Sequence, residues 1–220
     1  WREDPANPVR WGIRDTMHQI MYDDDRGRWL FYTRPTSFAG QHPLNELDKA
    51  FNMKGRAAVA VGKTPQSLSN PRCVLYPLED EHWFMDDFLV GKCDSHFIGF
   101  KTMMEWTNDN EMYNSSHLCF STDGMSWKRL ASPEAFISRG KIGDFDHGQV
   151  GSPKNIVEVG DWYYLYYWGT IRGQHESENL AGVGLAMTKR DRFVAQEAGE
   201  SGGYLLTREF VVEGDELRVN

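Results

Sequence analysis

Asp161-Trp162-Tyr163-Tyr164-Leu165-Tyr166-Tyr167 decides the fold: five aromatics and a leucine follow an acidic turn residue, a density of strand formers in a run too short for an ordinary helix. Two similar stretches stand upstream, Arg28-Trp29-Leu30-Phe31-Tyr32 and Ser95-His96-Phe97-Ile98-Gly99-Phe100. An acidic residue near a strand start precedes each: Asp15, then Asp86 and Asp87, then Asp146. A third strand ending in a polar turn follows each, at 59–64 (VAVGKT), 118–124 (LCFSTDG) and 183–191 (VGLAMTKRD). Further strand signals lie at 17–22 and 57–61, and a fourth strand is expected to close each unit near 73–76, 134–137 and 193–196. Only 44–51 (LNELDKAF) suggests a helical turn.

Four strands repeating every 60 to 70 residues or so is the pattern of a β-propeller. The units fall at about 10–76, 77–138 and 139–202, and the strand-like tail 203–220 closes a blade or opens a following β-sandwich. A two-sheet sandwich is the competing architecture. Three blades leave a ring open, with sheet faces uncovered. The chain, which opens on Trp1 with no leader pattern after it, is therefore read as part of a larger ring whose other blades lie elsewhere in the parent protein.

With 220 residues there is length for a substantial core, and eight Trp, nine Tyr and twelve Phe exclude disorder. A net charge of −8 without a basic block argues against nucleic acid and suits a neutral substrate. No apolar run approaches a membrane helix. Cys73, Cys93 and Cys119 form an odd set without metal spacing and read as buried free thiols, which leaves the compartment open. Ser121-Thr122-Asp123-Gly124-Met125-Ser126-Trp127 resembles the Asp-box turn of propeller enzymes, a structural hairpin with a Trp to pack between blades. Asn114-Ser115-Ser116 fits a glycosylation sequon. No Ser/His/Asp triad, P-loop or dinucleotide fingerprint is present.

Trp11-Gly12-Ile13-Arg14-Asp15, with Met21-Tyr22-Asp23 and Trp29–Tyr32 after it, resembles the second blade of glycoside hydrolase family 32, with Thr16 where that family has Pro. Phe145-Asp146-His147-Gly148-Gln149 resembles its fourth-blade segment, and 184–210 is similar to glycosyl hydrolase-like propeller proteins. The resemblance implies an all-β fold, a five-bladed β-propeller of the glycoside hydrolase 32/43 type with about three four-stranded blades present. It implies a carbohydrate-active enzyme that cleaves or transfers glycosidic linkages, acts on an oligosaccharide or polysaccharide, and is secreted, extracellular or periplasmic. Two departures stand out. The family's nucleophile belongs to a blade this chain lacks, and its third-blade Trp-Glu-Cys is here Trp83-Phe84-Met85-Asp86-Asp87.

Glycoside cleavage needs carboxylates on both sides of the scissile bond, and one acidic residue per blade brings them to one end of a central pocket. Asp15, Asp86 and Asp146 are the candidate catalytic set, Asp15 by resemblance as transition-state stabiliser or pKa modulator. Asp87 faces away from Asp86 if the strand is regular. Arg14 and His18 beside Asp15, and His147 and Gln149 beside Asp146, are candidates for substrate hydroxyls. The loop after the aromatic strand adds Arg172, His175 and Glu176, and Trp168 is placed to stack on a sugar ring or in the core. A phosphorylase would use Arg14, Arg34 and Arg172 for phosphate, and a non-catalytic propeller binding glycans or protein is the remaining alternative. Related propellers sometimes hold a Ca2+ on the axis, although no metal cluster stands out in sequence.

Overall fold

The computed structural model describes residues 2–5, 7–8, 18–34, 55–76, 84–106, 111–130, 134–176, 178–209, 211 and 214–215. Among them are twelve strands and no α-helix. Asp15, Arg14 and the helical turn expected at 44–51 lie outside the described residues. The first blade is an antiparallel meander of β1 (Gln19–Asp23), β2 (Arg28–Thr33), β3 (Ala57–Gly62) and β4 (Arg72–Leu75). Cross-strand pairs set its register, as where Tyr22 faces Trp29 with ring centroids 5.1 Å apart.

β5 (Phe84–Cys93), β6 (His96–Trp106), β7 (Met112–Ser121) and β8 (Lys128–Arg129) make the second blade. In the third, β9 (Gln149–Val150) and β10 (Val157–Val159) share one edge of β11 (Trp162–Thr170), and β12 (Ala181–Lys189) takes the other. β9 and β10 are one inner strand interrupted where Pro153 has no N–H to donate. A single parallel bridge, Asn114 to Gln149, ties the third blade to the second.

Two of the expected fourth strands are corrected. In the second unit Lys128–Arg129 takes the β7 edge, and of 134–137 only Ile137 forms a bridge, to Ser116. In the third, 193–196 has no strand. Asp191, at φ 58, turns the chain off β12, and Phe193 is drawn into the core against Tyr163 (5.3 Å, stacked) and Phe136. The tail at 203–209 likewise forms no strand.

Two cores lie between the blades. Leu30, Tyr32 and Val59 of the first blade meet Phe88, Val90, Phe97 and Met103 of the second. Ile98, Phe100 and Leu118 of the second meet Tyr163 and Leu165 of the third. Each such side chain contributes about 1.5–3 kcal/mol by burial. Cys93 and Cys119 are buried thiols, pushed up to about 11 and about 12 by desolvation; Cys73 is only partly buried, a correction to the reading of all three. At β5 a bulge between Met85 and Phe88 shifts the register, so residues of opposite parity face the same core.

Polar contacts reinforce the first seam. The side-chain amide of Gln19 acts as a substitute peptide: Val90 N donates to its Oε1 (2.6 Å) and its Nε2 donates to Val90 O (2.7 Å). The 121–127 turn is structural, as its sequence suggested. Asp123 Oδ1 accepts from Ser121 Oγ, Met125 N and Ser126 N, while Tyr32 and Arg26 of the first blade donate to the carbonyls of Gly124 and Thr122. Trp127 then packs edge-on to Phe88 at 4.9 Å.

Burial opposes the charge on Asp123, but the backbone N–H groups of Ser126 and Met125 and the Ser121 hydroxyl outweigh it and hold the carboxyl down to about 2. A depressed folded value means stability that is present above the unfolded Asp value, about 4, and is lost as pH falls through about 2. Asp123→Ala is expected to cost about 1–3 kcal/mol at neutral pH. It should also flatten the loss of stability between pH 4 and 2, measured by urea denaturation across that range; an unchanged acid limb would refute the assignment.

Candidate active site

The two ends of the blades differ. At one end the first and second strands of each blade join by short hairpins, at 24–27, 94–95 and 160–161. At the other, the second and third strands join through 34–56, 107–111 and 171–180. In an antiparallel meander this second end also receives the starts of the inner strands. His18, Asp86 and Asp146 therefore share it with these connections, of which 171–180 is a loop, the kind of segment where binding groups are most often carried. Buried polar side chains crowd the same end, among them Thr33, Arg34, Arg56, Asp87, Asn114, Gln149 and Thr170.

Asp86 lies in the β5 bulge and is ion-paired across the first seam. Arg34 Nη2 donates to its Oδ1 at 2.6 Å and to its backbone oxygen at 2.8 Å, with the guanidinium almost fully buried. Thr33, Arg34, Arg56, Asp86 and Phe88 line a niche of about 10 Å3, room for one water. Asp87, also in the bulge, is buried, so Asp86 and not Asp87 is the more exposed of the two. His18 Nδ1 lies 2.9 Å from Thr33 Oγ1, which fastens it to the end of β2.

Asp146 has a different setting. It sits in the turn before β9, 8% exposed, and Tyr167 Oη donates to its Oδ2 at 2.7 Å. Among the described residues no cation pairs with it. A methyl on Gly140 would collide with Asp146 Oδ1, and one on Gly169 with its Cβ. Both glycines are thus required by the carboxylate's position. His147 packs toward Tyr113 and Gly140 O, and Gln149 is buried as the bridge to Asn114.

The remaining candidates serve the loops. Trp168 is half-buried and covers Gly151 of the inner strand. The loop at 171–180 is built on Asn179, whose amide accepts from Arg172 N and donates to the carbonyls of Arg172 and Gly173. Glu176 Oε1 accepts from Gly173 N, and His175 N donates to Glu111 Oε2 at 3.4 Å. Glu176 is thereby committed to holding the loop, and the imidazole of His175 is exposed. Asn114 is 2% exposed inside β7, so the sequon is closed to modification in the folded protein, a correction to its sequence reading. Among the described residues no cluster of three or more His, Cys, Asp or Glu fits a metal. No helix of the described residues is long and apolar enough to cross a membrane.

Sequence comparison finds no matching protein-family model and no matching curated protein. Solved structures do match. A family 117 glycoside hydrolase from Zobellia galactanivorans superposes with a TM-score of 0.56 at 12% identity, over 80% of this chain and 52% of that one. An N-acetylgalactosamine deacetylase from F. plautii gives 0.54 at 14%, over 77% and 49%. The family 32 β-fructofuranosidase of Bombyx mori gives 0.53 at 14%, over 79% and 32%. The fold is that of a β-propeller. This propeller chain spans about half the length, or less, of the structures it matches.

Sequence reasoning missed Tyr167, Gly140 and Gly169. The tyrosine was hidden among the aromatics of its strand, and a glycine gives no sign of which carboxylate it admits. Burial, then the hydrogen bond and charge of Asp146, push the Tyr167 phenol up to about 12. It remains a protonated donor at any physiological pH. Asp146→Asn removes the charge, and the phenol of Tyr167 is expected to titrate closer to its ordinary value near 10, read by 13C NMR of labelled tyrosine against pH. A phenol still titrating at about 12 in the variant would show that burial alone is responsible.

Proposed function

We propose that this propeller is a carbohydrate-active enzyme that cleaves or transfers glycosidic linkages on an oligosaccharide or polysaccharide. The observation that carries the reading is Asp146: a carboxylate at the loop-bearing end, mostly buried, held by one neutral donor and by no described cation. Such a group keeps an oxygen available for a substrate hydroxyl or a leaving-group proton. Asp86, from the adjacent blade, is ion-paired with Arg34 and is the group suited to lie beside an oxocarbenium-like centre. Asp15 is the third member of the proposed set, from the resemblance of its motif. Solved propellers of like shape include glycoside hydrolases, which supports the chemistry without fixing the sugar.

Asp146→Asn in the full-length protein, screened against chromogenic glycosides and a glycan array, is expected to retain the fold and lose about 100-fold or more in turnover. A non-catalytic propeller that binds glycans or protein is the second reading, favoured by the missing glutamate of the third-blade motif, where the sequence has Trp83-Phe84-Met85-Asp86-Asp87. Binding without turnover in the unaltered protein would select it.

We further propose that other blades of the parent protein cover the open faces at both ends of the arc. Ile20 and Tyr22 on the first blade, and Tyr166, Leu185 and Met187 on the third, are exposed apolar side chains on sheets whose other faces are interblade cores. In the full-length protein Leu185→Lys is expected to lower the unfolding midpoint, measured by thermal denaturation. An unchanged midpoint would mean that the face is open to water.

A further inference from the structure

We propose that Tyr167 is a positioning residue for Asp146, fixing the direction in which the carboxylate faces the loop-bearing end. This rests on the reading of Asp146 given above. Three features of the surroundings point to it. First, the ring is boxed: it stands opposite Gly184 in the β11–β12 register, where a methyl would collide with Tyr167 Cζ, and Phe145 lies 6.0 Å away on another side. A ring confined in this way delivers its hydroxyl to one place. Second, the backbone of Asp146 is fixed independently, because Gly140 N donates to its carbonyl and His147 N to that of Asp144. What is left is rotation of the side chain about its two bonds, χ1 and χ2, and the Tyr167 bond to Oδ2 is the described hydrogen bond that holds the carboxylate. Third, Gly140 and Gly169 pack so closely on Asp146 that a methyl at either would collide with it in that orientation.

A tyrosine whose role is only to fill the core would be replaceable by phenylalanine without effect beyond a small loss of stability. A positioning tyrosine would not, since removing one oxygen frees the carboxylate to turn. The geometry also supplies a second probe. A methyl at Gly140 would collide with Asp146 Oδ1, and with Asp144 beside it, while both the Asp146 and the Tyr167 side chains are retained in the sequence.

The test compares the full-length protein with Tyr167→Phe and Gly140→Ala, by crystal structure and by steady-state kinetics on whichever glycoside the screen identifies. Both variants are expected to show the Asp146 carboxylate rotated from its original direction. Both should lower kcat by about 10- to 100-fold with KM changed little, the signature of a misplaced reacting group. A carboxylate that stays in place in the Tyr167→Phe structure would overturn the proposal, whether or not a substrate is in hand. A rotated carboxylate with unchanged kcat would overturn it equally. Failure of the wider reading looks different: there Asp146→Asn itself is harmless. If one variant does not fold, the other decides.

Discussion

Neighbouring residues along β6 belong to different cores: Phe97 and Met103 to the seam with the first blade, Ile98 and Phe100 to the seam with the third. A sheet that must bury both faces has no solvent side on which to place polar groups. They are forced toward its ends and edges. At the hairpin end Asp23, fully buried, is held by Arg28, and Asp123 takes up the N–H groups of its own turn. At the other end Thr33, Arg34, Arg56, Asn114, Gln149 and Thr170 collect with Asp86 and Asp146. Two-sided burial thus both stacks the blades and drives polar groups to their two ends. Several polar groups that cross a seam are paired there, as with Gln19 on the Val90 peptide and the hydroxyls of Thr102, Ser116 and Ser152 on one another.

The second strands of the blades were readable because they are continuous apolar or aromatic runs, and Trp162–Tyr167 extends in the structure to β11. The inner strands were less so. β5 carries Asp86, Asp87 and Lys92 among its apolar residues, and β9 and β10 are two short pieces around a proline. Their acidic starts were visible, yet not their lengths. The fourth strands were the weakest element, because whether a segment joins a sheet edge depends on competition from elsewhere. Phe193 prefers the core between blades to the edge of β12, and nothing within 193–196 alone states that preference.

The candidate site was legible in part. The order of acidic residue and aromatic strand placed Asp86 and Asp146 at inner-strand starts. Their contrasting surroundings were not written locally, since Arg34 is 52 residues from Asp86 and Tyr167 is 21 from Asp146. Loop residues chosen for polarity divided by which atoms the loop itself consumes. Glu176 is occupied within its own turn, and Arg172 contributes its backbone to Asn179, a residue that had attracted no notice.

The bulge at Asp86 and Asp87 places a constraint on how this protein can diversify. Met85 on one side of it and Phe88 on the other face the same core only because of the added register shift. Loss or gain of one residue there would exchange inside for outside along part of β5. This corner can therefore exchange one side chain for another, whereas a change of length would have to be absorbed at a chain connection outside β5.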